Sequence, residues 1–316
     1  MEGHVEADEI YLVLTGEIGY TTTRTVSTGR GRTSTRTEYH HVPFYSAKVS
    51  FAQPEFGQKQ LVYGQGQYSW SFQISLTDYL PPTINQPLSY PHVRYYLQVV
   101  IDKSWYKPNT RETKYLTVFP RVNLLQNPQC LISTMFGNQN RKDIVLKGSL
   151  NKLGYVPGEA IHITLDIDNS RRVLIQRIVL SLLQSYQIGR NSRGYTVFQT
   201  ILPNILNIRD QQRREPFSII MPSVPIPPSY QFQGGLQRLA LVNISYILRL
   251  AVKVEGLFTN FDVNIPITIG TEPYLDSNQQ PTPNSVTVSY SLNPEQSMFK
   301  DDDLPPSYDS LGENIK

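Results

Sequence analysis

Phe217-Ser-Ile219-Ile-Met221 leads to Pro227-Pro228 and then to Tyr246-Ile247-Leu248-Arg249-Leu250, and the chain has already used this arrangement once. Phe72-Gln-Ile74-Ser-Leu76 leads to Pro81-Pro82 and later to Tyr96-Leu97-Gln98-Val99. From the phenylalanine to the second proline the step is ten residues in the first copy and eleven in the second. Ile10-Tyr-Leu12-Val-Leu14 likewise matches Ile178-Val-Leu180-Ser-Leu182. Such self-similarity marks one structural unit used twice. Within the units, apolar residues alternate with polar ones: Tyr68-Ser-Trp70-Ser-Phe72-Gln-Ile74-Ser-Leu76, Ile161-His-Ile163-Thr-Leu165-Asp-Ile167, the set Tyr246, Leu248, Leu250, Val252 and Val254, and the set Val263, Ile265, Ile267 and Ile269. A period of two is the mark of a strand with one buried face. Clusters of Gly, Pro, Asn and Asp separate the runs, and no long helix-period segment interrupts them. The sequence reads as all-β, with two tandem β-sandwiches joined near Phe119-Pro120-Arg121-Val122-Asn123.

Composition agrees. The 316 residues suit two ordinary domains, charged residues are only 17%, and tyrosine is abundant at 20, a half-buried sheet composition. The expected division is residues 1–121, residues 122–273, and a disordered acidic tail of residues 274–316. That tail carries a net charge of −5 while the whole chain is +3, which leaves the body at +8. A basic body favours anionic partners such as lipid headgroups, phosphorylated peptides or its own tail. Its basic residues are scattered rather than interleaved with stacking aromatics, which argues against nucleic acid. No stretch has the apolar length of a membrane span. The start, Met1-Glu2-Gly3-His4-Val5-Glu6-Ala7-Asp8-Glu9, is acidic with no signal-peptide core, and the single cysteine, Cys130, permits no intrachain disulfide. These features point to the cytosol, where the sequon Asn243-Ile-Ser245 has no meaning.

Pro305-Pro306-Ser307-Tyr308 follows Asp301, Asp302 and Asp303. A Pro-Pro-x-Tyr tetrapeptide is a WW-domain ligand: the prolines pre-form an extended helix that docks in an aromatic groove, and the tyrosine fills a second pocket. A second copy, Pro227-Pro228-Ser229-Tyr230, takes the place that Pro81-Pro82-Thr83 holds in the first repeat. The shared part is a proline-stiffened turn, so the inner copy is read as architecture and the outer one as a ligand. Tyr308-Asp-Ser-Leu311 also has the form of a clathrin-adaptor sorting signal.

Several stretches together resemble the α-arrestins. These are Tyr155-Val-Pro157-Gly158-Glu159-Ala-Ile161, Gly66-Gln-Tyr68-Ser-Trp70-Ser-Phe72 with Leu80-Pro81-Pro82, Met221-Pro222 through Pro228, Ile265-Pro-Ile267-Thr-Ile269-Gly-Thr271, and the tail motif. The resemblance spans residues 8–273 and implies two arrestin-like, immunoglobulin-type sandwiches in a non-catalytic adaptor. Such an adaptor links membrane receptor or transporter cargo to WW-domain HECT-type ubiquitin ligases and promotes ubiquitination, endocytosis and protein transport, moving from the cytoplasm to the plasma membrane and endosomes. The alternative is a receptor-binding signalling or desensitisation scaffold that works without a ligase. Relative to the family, the first half lacks counterparts of the strands at 144–150 and 161–167. The chain reads as short at its N-terminus, with a destabilised first domain.

Residues 21–37 are rich in Thr and Ser and carry Arg24, Arg30, Arg32 and Arg36. They are expected to form a solvated loop between strands at 10–20 and 38–52, with the arginines as a candidate anion or cargo contact, since guanidinium pairs bidentately with phosphate. Residues 209–215 read as a second, shorter charged loop. Catalysis finds no support. The five histidines have no metal-ligand spacing with Cys130, His162 is expected in solvent, and Gly64-Gln-Gly66 precedes a strand rather than a helix, so it builds no dinucleotide site. No enzyme activity, cofactor or metal is expected.

Overall fold

A computed structural model describes residues 4–27, 33–85, 87–139, 144–256 and 260–272, with the backbone of 286–288. The first half contains β1 (Val5–Ala7), β2 (Glu9–Ser27), β3 (Thr33–Ala52), β4 (Leu61–Tyr63), β5 (His92–Asp102) and β6 (Thr110–Leu116). The second contains β7 (Thr134–Gln139), β8 (Ile144–Leu150), β9 (Gly154–Tyr155), β10 (Ala160–Asn169), β11 (Ile175–Ile188), β12 (Asn191–Ile201), β13 (Gln212–Ile220), β14 (Tyr230–Gly234), β15 (Ala240–Val254) and β16 (Phe261–Ile269). A last short strand, β17 (Val286–Val288), runs parallel to β13 along its outer edge. Two 3-10 turns, Leu124–Gln126 and Pro128–Leu131, join the halves.

The alternation seen in sequence is the burial pattern of the second half. Along β15, Ala240, Val242, Ile244, Tyr246, Leu248, Leu250, Val252 and Val254 are buried, and each intervening residue is more exposed. A sheet ordered β12-β11-β15-β16-β9 lies against one ordered β17-β13-β10-β8-β7, and their inward side chains share one core. Prolines sit where the ladder has a gap. Pro266 pairs with Ile247 on one side, while the flanking β9 reaches only Thr268 and Ile269. Pro216 lies one residue before β17 begins to pair. Each missing N–H therefore costs no ladder bond.

The first half keeps only part of this plan. Its sheet is β3-β2-β5-β6, and β1 pairs separately with β4. The repeat aligns β2 with β11, β5 with β15, and residues 72–76 with the end of β13. Yet residues 68–76, expected as a strand, form no ladder. The reason is the absence of a partner. In the second half Phe217 pairs with Ile163 of β10, and Ile163 with Leu150 of β8. No strand among the described residues stands in either place in the first half. Apart from β4, residues 53–80 instead pass over the inner face of the sheet as an irregular strap. Phe51 stacks on Trp70 at 5.8 Å, and the Tyr45 hydroxyl donates to the Ser75 carbonyl at 2.9 Å. Tyr68, Phe72 and Leu76 are left largely exposed, while Leu80 and Ile84 reach the core.

The expected loop at 21–37 is also different. The ladder of β2 and β3 runs on from Thr21 opposite Tyr39 to Ser27 opposite Thr33. Thr23 faces Thr37 and Thr25 faces Thr35, and β-branched residues favour the pleated conformation. The hairpin is thus an exposed two-stranded ribbon. Residues 212–215, read as loop, belong to β13, where Arg213 pairs with Asp210 at 2.7 Å and with Glu215 at 2.7 Å. His162 is half-buried on β10, and burial lowers its pKa.

The halves meet through their long hairpins. Gly189, at φ 56° in the turn between β11 and β12, lets the Tyr20 ring lie where a Cβ would stand. The Thr21 amide donates to Asn191 Oδ1 at 2.7 Å, Leu236 N–H donates to the Pro43 carbonyl at 3.0 Å, and Phe44 meets Phe232 edge to face at 5.3 Å.

Candidate functional site

Four places gather the side chains that matter. The first is the ribbon. Arg24 and Arg36 are cross-strand partners near its end, both exposed. Like charges opposite each other repel, so the pair is held by the ladder and presents two guanidinium groups side by side. Arg30 and Arg32 lie outside the described residues. The ribbon's base is fixed by Tyr20 stacked on His40 at 4.9 Å and by Thr22 Oγ1 within 2.7 Å of His40 Nε2.

The second is the inner Pro-Pro-Ser-Tyr. Its Ser229 N–H donates to the Ile269 carbonyl, and the Ile269 N–H donates back to Ser229 Oγ, each at 2.9 Å. The Pro227 carbonyl accepts from the Tyr246 hydroxyl at 2.5 Å. Tyr230 enters β14 opposite Ile244, and its ring lies 6.1 Å from that of Tyr79. The segment is a turn sewn to β15 and β16, so a groove-type partner has no free extended face to wrap. Pro305, Pro306, Ser307, Tyr308 and Leu311 lie outside the described residues.

The third place is the Pro157-Gly158 turn. Gly158 adopts φ 86°, which the turn requires. The turn returns Glu159 onto Lys152, whose ammonium is sealed from solvent and ion-paired with it. Glu159 also accepts the Val156 N–H at 3.0 Å, and Lys152 Nζ lies 5.4 Å from the centre of the Tyr155 ring. A paired charge of this kind fixes the turn rather than leaving a reactive group.

The fourth was missed in sequence. Gly19 of β2 is flanked by His41 of β3 and His92 of β5, and Glu17 is the next residue of β2 on the same face. Residues 87–91 fold over this outer face and bury it. Arg94 donates to the Pro87 carbonyl at 2.8 Å and to Glu17 Oε1 at 2.9 Å. His92 is fully buried, and that burial lowers its pKa to about 4. For Glu17, burial pushes the carboxyl pKa up, but His41 and Arg94 together outweigh it and hold the group below its usual range. The three groups are far apart in sequence, and only strand register unites them. The one signal available was a glycine at a position where the strand pattern calls for a side chain.

Arrestin (or S-antigen), N-terminal domain, matches residues 1–125, and Arrestin (or S-antigen), C-terminal domain, matches residues 140–274. The chain belongs to the arrestin family. Arrestin domains serve in general as non-catalytic scaffolds or adaptors that bind receptor or cargo partners. No helix among the described residues is long and apolar enough to cross a membrane. Within this arrestin, the ribbon carries two adjacent, exposed positive charges, Arg24 and Arg36.

Proposed function

We propose that the protein is an α-arrestin-type adaptor that couples membrane cargo to a WW-domain HECT-type ubiquitin ligase, so driving cargo ubiquitination, endocytosis and transport. One observation carries the reading: a Pro-Pro-x-Tyr motif, Pro305 to Tyr308, follows two arrestin domains. The inner copy is consumed by turn formation, which leaves the tail copy as the ligand. The ribbon arginines, Arg24 and Arg36 together with Arg30 and Arg32, supply the contact to phosphorylated cargo or acidic lipid. The protein works in the cytoplasm and is recruited to the plasma membrane and endosomes.

The test is Tyr308→Ala beside Tyr230→Ala. The first substitution is expected to abolish ligase co-precipitation and cargo ubiquitination while cargo binding persists. The second is expected to lower stability and leave ligase binding in the folded fraction unchanged. Undiminished cargo ubiquitination with Tyr308→Ala would refute the reading in favour of a receptor-binding scaffold that needs no ligase.

A further inference from the structure

We propose that Glu17, His41 and His92 form a binding site for one divalent transition-metal ion of the zinc class, which pins β3, β2 and β5 together beside the junction of the two domains. One ligand atom from each of the three residues lies within 4.8 Å of the other two. A mononuclear site with bonds near 2.0–2.2 Å places its donors roughly 3–4 Å apart, so small side-chain adjustments close the triad on an ion.

The second observation is His92 itself. Its ring is fully buried, its Nδ1 lies 2.5 Å from the Ser89 carbonyl, and its Nε2 is buried with no hydrogen-bond partner. A carbonyl only accepts, so Nδ1 carries the proton and Nε2 presents a bare lone pair. A buried polar atom left unmatched is costly, and an ion is one of the few things that explain it. A metal-binding imidazole typically donates its far N–H to a backbone carbonyl, which fixes the tautomer and turns the near nitrogen to the ion. His41 has the matching arrangement. Its Nδ1 is 2.8 Å from Glu17 Oε1, and its Nε2 is 2.6 Å from the Tyr90 hydroxyl. When Nδ1 ligates, the proton resides on Nε2 and Tyr90 accepts it.

Gly19 makes the space. A Cβ there would overlap Cε1 and Nε2 of His92, so any other residue would push the ring out of the triad. Arg94 decides which class of ion fits. Its guanidinium contacts Glu17 Oε1 at 2.6 Å and opposes a cation held by charge alone. Calcium and magnesium depend on several oxygen ligands. Two neutral imidazoles and one carboxylate suit zinc. Glu17 Oε2, 3.5 Å from the Tyr96 hydroxyl, is the oxygen an ion would take while Oε1 keeps its arginine.

Untagged full-length protein, stripped with EDTA and dialysed, is titrated with Zn2+ against a competing chromophoric chelator. Co2+ absorption reports the coordination geometry. The expected result is one tightly held ion per chain, a tetrahedral Co2+ spectrum and a raised thermal midpoint. His92→Gln and Glu17→Gln are expected to lose all three, and Tyr90→Phe to weaken binding by about 10- to 100-fold. His40→Gln, next to His41 on β3 but on the other face of the sheet, is expected to bind as the parent does. His41→Gln alters the least buried ligand, so its far-UV circular dichroism separates lost binding from lost folding. Absence of stoichiometric Zn2+ binding by the parent overturns the proposal. So does binding that survives in His92→Gln and Glu17→Gln, which would place the ion on surface histidines.

Discussion

Glu159→Gln is expected to be far more damaging than Lys152→Met, although the two substitutions remove opposite ends of one ion pair. The asymmetry follows from burial: the Lys152 side chain is 2% exposed and that of Glu159 is 19%. Neutralising Glu159 removes the carboxylate that pairs with a sealed ammonium, and breaking a buried pair from one side costs about 3–5 kcal/mol. The Gln amide still accepts hydrogen bonds, and the Tyr155 ring face supplies about 1 kcal/mol of cation–π attraction. The expected loss is therefore near the lower bound, about 3 kcal/mol. Lys152→Met keeps a straight side chain in the apolar slot. It leaves a carboxylate that retains the Val156 N–H and can turn to water, so its cost is about 1 kcal/mol or less. In the double variant no charge is stranded, and most of the Glu159→Gln loss returns. Urea unfolding followed by far-UV circular dichroism gives the three differences. Thermal midpoints should fall by roughly 6–12 °C for Glu159→Gln in a domain of this size. Equal losses from the two single substitutions, or a double variant no better than Glu159→Gln, would refute the argument that sealing of the ammonium sets the cost.

Two further outcomes follow from buried groups. Folded His92 has its pKa lowered from 6.5 to about 4, so between these values the unfolded chain binds a proton that the folded chain does not. Stability should fall as pH drops through that window, by at most about 3 kcal/mol, and His92→Gln should flatten the dependence measured by urea unfolding at stepped pH. Tyr246→Phe should cost about 2 kcal/mol in the same assay, because its hydroxyl serves both the Pro227 carbonyl and Gln184 Nε2, and Gln184 Oε1 is already without a partner.

Strands with a partner on each side were legible in the sequence. The apolar alternation from Ile161 to Ile167 falls inside β10, and the strand expected at 144–150 is β8. Residues 68–76 show the limit of that reading. Their alternation is as regular as that of β10, but a strand is a relation between two chains of backbone, and periodicity in one carries no record of whether the other is present. The ribbon shows the reverse error. Polarity suggested loop where cross-strand threonines extend the ladder. The histidine cluster depends on register across three strands, and the Lys152–Glu159 pair on a turn that reverses the chain. Neither distance along the sequence nor residue type foretells such meetings.

The pairing of β17 with β13 fixes where the distance to the C-terminal motif is measured from. Counted from Glu272 beside the last body strand, Pro305 sits 33 residues along, a maximal reach of ~120 Å. Counted from Val288, held at the edge of the second sheet, it sits 17 residues along, and the reach shrinks to ~60 Å. A short edge strand thus halves the radius open to the ligase proposed to bind at Tyr308. It also centres that radius on the flank of the second domain rather than on its end.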